Sequence, residues 1–363
     1  MRNFDDAPFL VIWEVTQACD LACKHCRACA IASRNPFELS TPEGVRLLEK
    51  IRSLGDPLMV FTGGDPLKRD DVFTLLEKSV SLGLRTTITP SATPLLTEAA
   101  IDEFRRCGVA RMAVSLDGPD AASHDGFRRV DGSFAQTLFA LNYAAETGLQ
   151  TQVNTTVTRH NLSRLDEIAQ LVRSFQPRLW SVFFLVATGR ASASQDLTAE
   201  EYENVFGFLY ELSKTASFDI KTTEAQHYRR YVAQRRKAEG GNGSEKIPIG
   251  IIQRQAGIND GKGLVFISHT GEIYPSGFLP VSAGNVRRDS LADVYRHSPL
   301  FRTLRDANNL RGKCGDCEYR NLCGGSRSRA HALTGDFLAS DPRCVYQPAA
   351  LSTVVRPRES ALS

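Results

Sequence analysis

The sequence has little net charge, no long apolar run and no leader-like start. Its 44 basic and 41 acidic residues leave a net charge of +3, too small to mark a nucleic-acid partner. No apolar run approaches the roughly 20 residues of a membrane span, and the first residues lack the charged and apolar regions of a secretory signal. No internal repeat is visible. These absences predict a cytoplasmic chain that works with neither nucleic acid nor membrane. With 363 residues, 42% of them hydrophobic, the chain can bury a large core and carry a second unit.

A disulfide framework is not expected either. The nine cysteines are odd in number, and eight of them fall in two groups near the chain ends. That distribution points to metal or cluster binding. Cys19, Cys23 and Cys26 are spaced C-x3-C-x2-C just behind the apolar run 8–16. A cubane iron–sulfur cluster normally takes four thiolates, so three leave one iron open to another ligand. Cys29 adds a second reading, because Cys23, Cys26 and Cys29 repeat the start of a bacterial ferredoxin motif. The x3-Cys-Pro that completes that motif is missing, so Cys29 is expected in packing, as is Cys107 at a helix end. Cys314, Cys317, Cys323 and Cys344 form the second group, with spacing C-x2-C-x5-C-x20-C. Four such thiolates suit zinc or a complete cluster.

Between the two groups, apolar strand-like runs alternate with amphipathic stretches. Strands are predicted at 8–15, 57–62, 84–88, 110–116, 149–157 and 180–186. Helices lie between them, one opening on the capping box at Ser40 and Glu43, another on Thr198 and Glu201. Six β/α units imply a parallel sheet, either doubly wound or a partial barrel. Distinctive polar segments follow every strand, and barrels build sites at that end. The expected fold is therefore α/β, a partial (β/α)6 TIM-like barrel with a cysteine-rich C-terminal extension. Its units are expected at 1–215 (core), 216–262 (bridging helix and a flexible Gly240–Ser244 linker) and 263–363 (extension). A hairpin is predicted over 264–274, turning at Thr270 and Gly271.

The three-cysteine loop and Gly63-Gly64-Asp65-Pro66 after the second strand resemble the radical S-adenosylmethionine (SAM) superfamily. In that family the amino acid end of SAM binds the open iron, and an electron from the cluster releases a 5'-deoxyadenosyl radical. The resemblance implies a [4Fe-4S] cluster on Cys19, Cys23 and Cys26. It implies SAM contacts from the backbone of Gly63, Gly64, Asp65 and Pro66, where Asp65 replaces the usual glutamate. His25 stands where the family has an aromatic residue near adenine. Ser115 and Asp117 match a segment near the SAM carboxylate and ribose. Asn154, Thr156 and Arg190 are further candidates, while Arg128 is expected in a surface-loop salt bridge. The second cysteine group resembles the SPASM/twitch-type extension, which implies an auxiliary [4Fe-4S] cluster on four cysteines. Ser276 and Arg327 stand where cysteines of an inner cluster would be, so two clusters are expected.

The segments at Cys26–Ala28, Phe61–Lys68, Thr188–Arg190 and Cys323–Arg327 resemble most the heme-biosynthesis subgroup, whose members remodel tetrapyrrole side chains oxidatively. The basic stretch from Arg229 to Lys237 is read as a solvated helix face, with porphyrin carboxylates as the other reading. Ribosomal peptide maturation remains open, although no peptide-binding module precedes the first strand. So does a non-catalytic iron–sulfur carrier or zinc protein. An electron donor such as flavodoxin or ferredoxin is the expected protein partner.

Overall fold

The computed structural model describes residues 3–240 and 257–352. Seven parallel strands follow one another: β1 (Leu10–Glu14), β2 (Leu58–Thr62), β3 (Arg85–Ile88), β4 (Arg111–Ser115), β5 (Thr151–Val157), β6 (Leu179–Phe184) and β7 (Asp219–Thr223). Helices α1 (Thr41–Ser53), α2 (Val72–Ser81), α3 (Glu98–Arg106), α4 (Ala121–Arg128), α5 (Ser133–Glu146), α6 (Leu165–Phe175) and α7 (Ala199–Ser213) connect them. Each strand pairs with its successor, and β1 and β7 do not meet, so the barrel is open.

Local chemistry accounts for these elements. In α6 the buried positions Leu165, Ile168, Ala169 and Val172 recur every three or four residues and face the sheet. Complete burial of one such aliphatic side chain contributes roughly 1.5–3 kcal/mol. At the start of α7, Thr198 N–H donates to Glu201 (2.7 Å) and Glu201 N–H to the Thr198 hydroxyl (3.2 Å), the reciprocal pair read from the sequence. Strand β7 adds a seventh unit to the six expected. Only Ile220 of β7 is buried, while Asp219, Lys221 and Thr223 face the barrel interior. Its polarity hides it from a search for apolar runs.

After α8 (Tyr228–Ala238), the chain returns at β8 (Leu264–Ile267) and β9 (Glu272–Tyr274), an antiparallel hairpin turning through Gly271 at φ 88. Strand β10 (Gly284–Asn285) extends it. Strand β8 lies parallel to β1, from Leu10 against Leu264 to Trp13 against Ile267, so all ten strands form one sheet. Residues 241–244 of the glycine-rich stretch lie outside the described residues. The C-terminal lobe is tied to the barrel by buried polar contacts. Arg329 donates to the carbonyls of Leu185 (3.2 Å) and Glu224 (2.5 Å), and Ser326 donates to the Glu224 carboxylate (2.5 Å). Among the described residues no helix is long and apolar enough to cross a membrane.

Candidate active site

The loop leaving β1 carries the first three cysteines, and its shape is set by contacts from other strand ends. Cys19 N–H donates to the Ile31 carbonyl (2.8 Å). From the loop after β6, the Arg190 guanidinium donates to the carbonyls of Cys23 and Ala30, both at 3.0 Å, and its amide to that of Cys26 (2.9 Å). Gly189 allows this approach, since a Cβ there would stand 2.4 Å from the Cys26 and Arg27 carbonyl oxygens. Gly63 and Gly64 act similarly. A Cβ on Gly64 would meet the Ala18 oxygen at 2.3 Å, and one on Gly63 the Thr16 oxygen at 2.7 Å. The glycine pair thus lets the β2 loop press on the cysteine loop, with Gly64 N–H donating to Thr16 (2.8 Å) and Asp65 N–H to Ala18 (2.6 Å).

Cys19, Cys23 and Cys26 line a cavity of about 190 Å³ together with His25, Gly63, Gly64, Ser115, Asn154 and Thr156. Four other candidates lie behind that wall. The Asp65 carboxylate accepts from Thr93 (2.8 Å) and from the Ser91 and Leu67 amides (3.2 Å each), which caps the short turn beginning at Pro66. Asp117 is fully buried; it accepts from Thr156 N–H (2.7 Å) and from Arg128 Nε (2.8 Å). Arg190 holds the cysteine loop by its backbone. Arg128 differs from the expected surface salt bridge: it is nearly buried, lines the cavity, and its Nη1 lies 3.5 Å from Cys23 Sγ. Against the cost of burial, the Arg128 guanidinium holds the Asp117 carboxyl below its usual range.

Electrostatics and stacking complete the cavity. Burial and the neighbouring Arg128 push His25 down to about 3, so its ring is neutral. It stacks on Phe127 at 4.3 Å and 8°, and Phe127 stacks on His160. Burial pushes the Cys19 thiol up to about 11. Ser91, whose hydroxyl lies 3.4 Å from Cys19 Sγ, was not singled out from sequence, and neither were Arg27, Phe183 and Phe278. Only the polar segment 89–93 hinted at Ser91.

The second group also converges. Cys314, Cys317, Cys323 and Cys344 line one small cavity with His227 and Arg230. Burial pushes Cys323 up to about 12 and Cys344 up to about 11. Arg327, at the position of a missing inner-cluster cysteine, is buried; it donates to the carbonyls of Phe337 (3.0 Å) and Ala339 (2.7 Å) and reaches within 3.9 Å of Cys314 Sγ. All nine cysteines are free thiols; Cys107 is buried, as expected of a packing role, whereas Cys29 is exposed and does not pack as expected, because its left-handed backbone (φ 47) turns it out of the loop. Among the described residues, the ligand atoms of only Glu77, Glu103 and Cys107 lie mutually within 4.8 Å. Part of the basic helix α8 is already engaged: Arg230 pairs with Glu203, Arg235 with Glu211 (3.2 Å), and Arg229 donates to the Leu322 carbonyl (3.3 Å).

An open parallel barrel with three thiols at its first loop, and four more in a lobe on its edge, defines a two-centre iron–sulfur protein with a ligand cavity at one centre. A family model described as the radical SAM superfamily matches residues 13–172, and one described as the SPASM iron–sulfur cluster-binding domain matches residues 259–318. A protein of Nitratidesulfovibrio vulgaris named AdoMet-dependent heme synthase is 42% identical over 93% of this chain and 92% of its own. A Methanosarcina barkeri protein of the same name is 38% identical over 96% and 99%. A PqqA peptide cyclase of Rhizobium meliloti is 27% identical over 94% and 88%. Among solved structures, Streptococcus suis SuiB superposes with a TM-score of 0.72 at 18% identity, over 94% of this chain and 78% of SuiB. The chain belongs to the radical SAM superfamily and carries a SPASM-type extension. Membership implies an enzyme with SAM and two [4Fe-4S] clusters as cofactors.

Proposed function

We propose that this enzyme oxidatively modifies a side chain of a tetrapyrrole, a heme precursor. Cys19, Cys23 and Cys26 would hold the SAM-binding cluster, and Cys314, Cys317, Cys323 and Cys344 the auxiliary one. When bound, the first cluster and SAM supply hydrogen abstraction from an unactivated C–H bond. The cavity walls at His25, Gly63, Gly64, Ser115 and Asn154 bind SAM. Asp65, Pro66, Asp117 and Arg190 shape those walls from behind. Arg128 sets its positive charge beside Cys23, and the stacked His25–Phe127 pair shields that side from water. Four cysteines at the auxiliary site leave no iron for substrate, so that lobe serves electron transfer. The core, bridge and extension at 1–215, 216–262 and 263–363 remain our division of the chain, with β7 contributed by the bridge. A flavodoxin or ferredoxin in the cytoplasm is the proposed electron donor.

One observation carries the choice of substrate: two relatives with 38% and 42% identity over nearly the whole chain are named heme synthases. The cavity supports it, since Phe183 and Phe278 bridge the cysteine-lined space to the barrel interior and offer flat apolar faces. Peptide modification is the second reading, favoured by the PqqA peptide cyclase relative. The test supplies anaerobically reconstituted enzyme with SAM, dithionite and an iron porphyrin bearing carboxylate side chains. A mass change of the porphyrin together with 5'-deoxyadenosine is expected. An unmodified porphyrin under conditions that turn over a peptide would transfer the assignment to the second reading.

A further inference from the structure

Below the cysteine-lined cavity the barrel interior forms a second cavity of about 290 Å³. The two share Arg27, Thr62, Asn154, Phe183 and Phe278 in their linings, so one column runs from the SAM end to the opposite end of the barrel. Its walls are partly apolar, with Ile12, Val60, Leu179 and Phe266 among them. They also carry cations. Arg85 and Arg111 begin their strands and Lys221 occupies the middle of β7, all three lining the cavity. Arg111 stands four residues before Ser115, about 13 Å along the strand from the SAM end.

The balance of charge there is unusual. Two interior cations have counter-ions: Arg27 pairs with Glu14 (2.9 Å) and Arg178 with Asp219 (3.8 Å). The side chains of Arg85, Arg111 and Lys221 make no hydrogen bond or ion pair with any described residue, the Asp219 carboxylate reaches Arg111 only through its field, and Arg111 Nε is buried without a partner. Glu224, the other acid on the wall, accepts from Ser326, and burial raises its carboxyl pKa above the usual carboxylate range. Burial, together with Arg111 and Arg229, brings Lys221 down to about 8, and burial with neighbouring cations brings Arg111 down to about 10. Arg111 and Lys221 are thus partly buried cations in a wall where cations outnumber acids, an arrangement that favours an anionic guest.

We propose that the lower barrel interior is a carboxylate-binding subsite, in which Arg111 and Lys221, with Arg85 at the rim, hold the anionic, non-reacting end of the substrate while the reacting side chain lies at the cysteine-lined cavity. The assignment rests on the tetrapyrrole reading for the identity of that substrate. It makes these three residues determinants of specificity, distinct from the groups that bind SAM. Apolar walls with cations set among them suit a flat apolar ring that carries carboxylate arms.

The test measures binding of iron coproporphyrin, a tetracarboxylate porphyrin, to the reconstituted holoenzyme by absorbance titration. Its tetramethyl ester, dispersed in detergent, is the uncharged control. Lys221→Met and Arg111→Gln should each weaken binding of the acid by about tenfold to a hundredfold, the loss of one charge-assisted contact. They should leave binding of the ester and of SAM unchanged, which separates loss of a carboxylate contact from misfolding. Lys221→Arg should retain most of the affinity. Equal affinity of wild type and both neutral variants for the acid overturns the subsite and leaves the tetrapyrrole reading standing. No binding of the porphyrin by the wild type overturns both.

Discussion

Gly64→Ala tests how the cysteine loop is held. A methyl group there would lie 2.3 Å from the Ala18 carbonyl oxygen, 2.6 Å from its carbonyl carbon and 2.7 Å from the Gln17 oxygen. All three are backbone atoms, so no rotamer change relieves the overlap. The loop must withdraw by about 1 Å to restore ordinary contact. Withdrawal breaks the Asp65-to-Ala18 and Gly64-to-Thr16 hydrogen bonds, each worth about 1 kcal/mol. Residual overpacking adds about 1–3 kcal/mol, so the local loss is about 3–5 kcal/mol. Cys19 directly follows Ala18 and moves with it. After anaerobic reconstitution, iron should fall from about eight to about four per chain, because only the site in the C-terminal lobe stays intact. Gly126→Ala is the matched control. It lies on α4 with no heavy atom within 4 Å of a new Cβ, and alanine gains up to about 1 kcal/mol in a helix. A Gly64→Ala protein with full iron and an unchanged urea midpoint would refute the reasoning.

Arg128→Met leaves Asp117 buried without its counter-charge and should cost about 3–5 kcal/mol in urea unfolding; the Asp117→Asn/Arg128→Met double variant should regain much of that, and equal losses in the two proteins would count against the pair. Asp117 has a depressed folded-state pKa, so its stabilisation is complete above its ordinary value of 3.8 and drains away as acid titrates it below that. Stability measured against pH should therefore fall less steeply below about pH 4 in Asp117→Asn than in the wild type, and superimposable acid limbs would contradict this. Cys317→Ala should still release 5'-deoxyadenosine while product formation stops; full turnover would remove the auxiliary lobe from the electron path.

The parallel order was legible because apolar runs and capping boxes agreed with one another from β1 to β6. Strand β7 was not, because the interior face that makes it useful is polar, and Ile220 alone carries the outward signal. The cysteine groups could be read from spacing, since thiolate ligation constrains the chain locally. Contacts made between strand ends could not. Arg190 looks the same in sequence whether it touches SAM or clamps the carbonyls of Cys23 and Ala30, and only the fold separates the two. Arg128 was assigned to a surface loop because nothing local marks the helix that carries it toward Asp117. The glycine pair was read for SAM contacts alone, and nothing in the sequence marked its close approach to the backbone of Thr16 and Ala18.

The pairing of β8 with β1 sets where this chain can be divided. A barrel cut before Leu264 would bare the outer edge of β1 from Leu10 to Trp13, an apolar strand with a free row of amides and carbonyls. Such an edge recruits other chains, so the truncated barrel should self-associate, however complete its SAM site. A chimera that exchanges C-terminal lobes between relatives should therefore place its seam beyond Tyr274 and leave the hairpin with its own barrel.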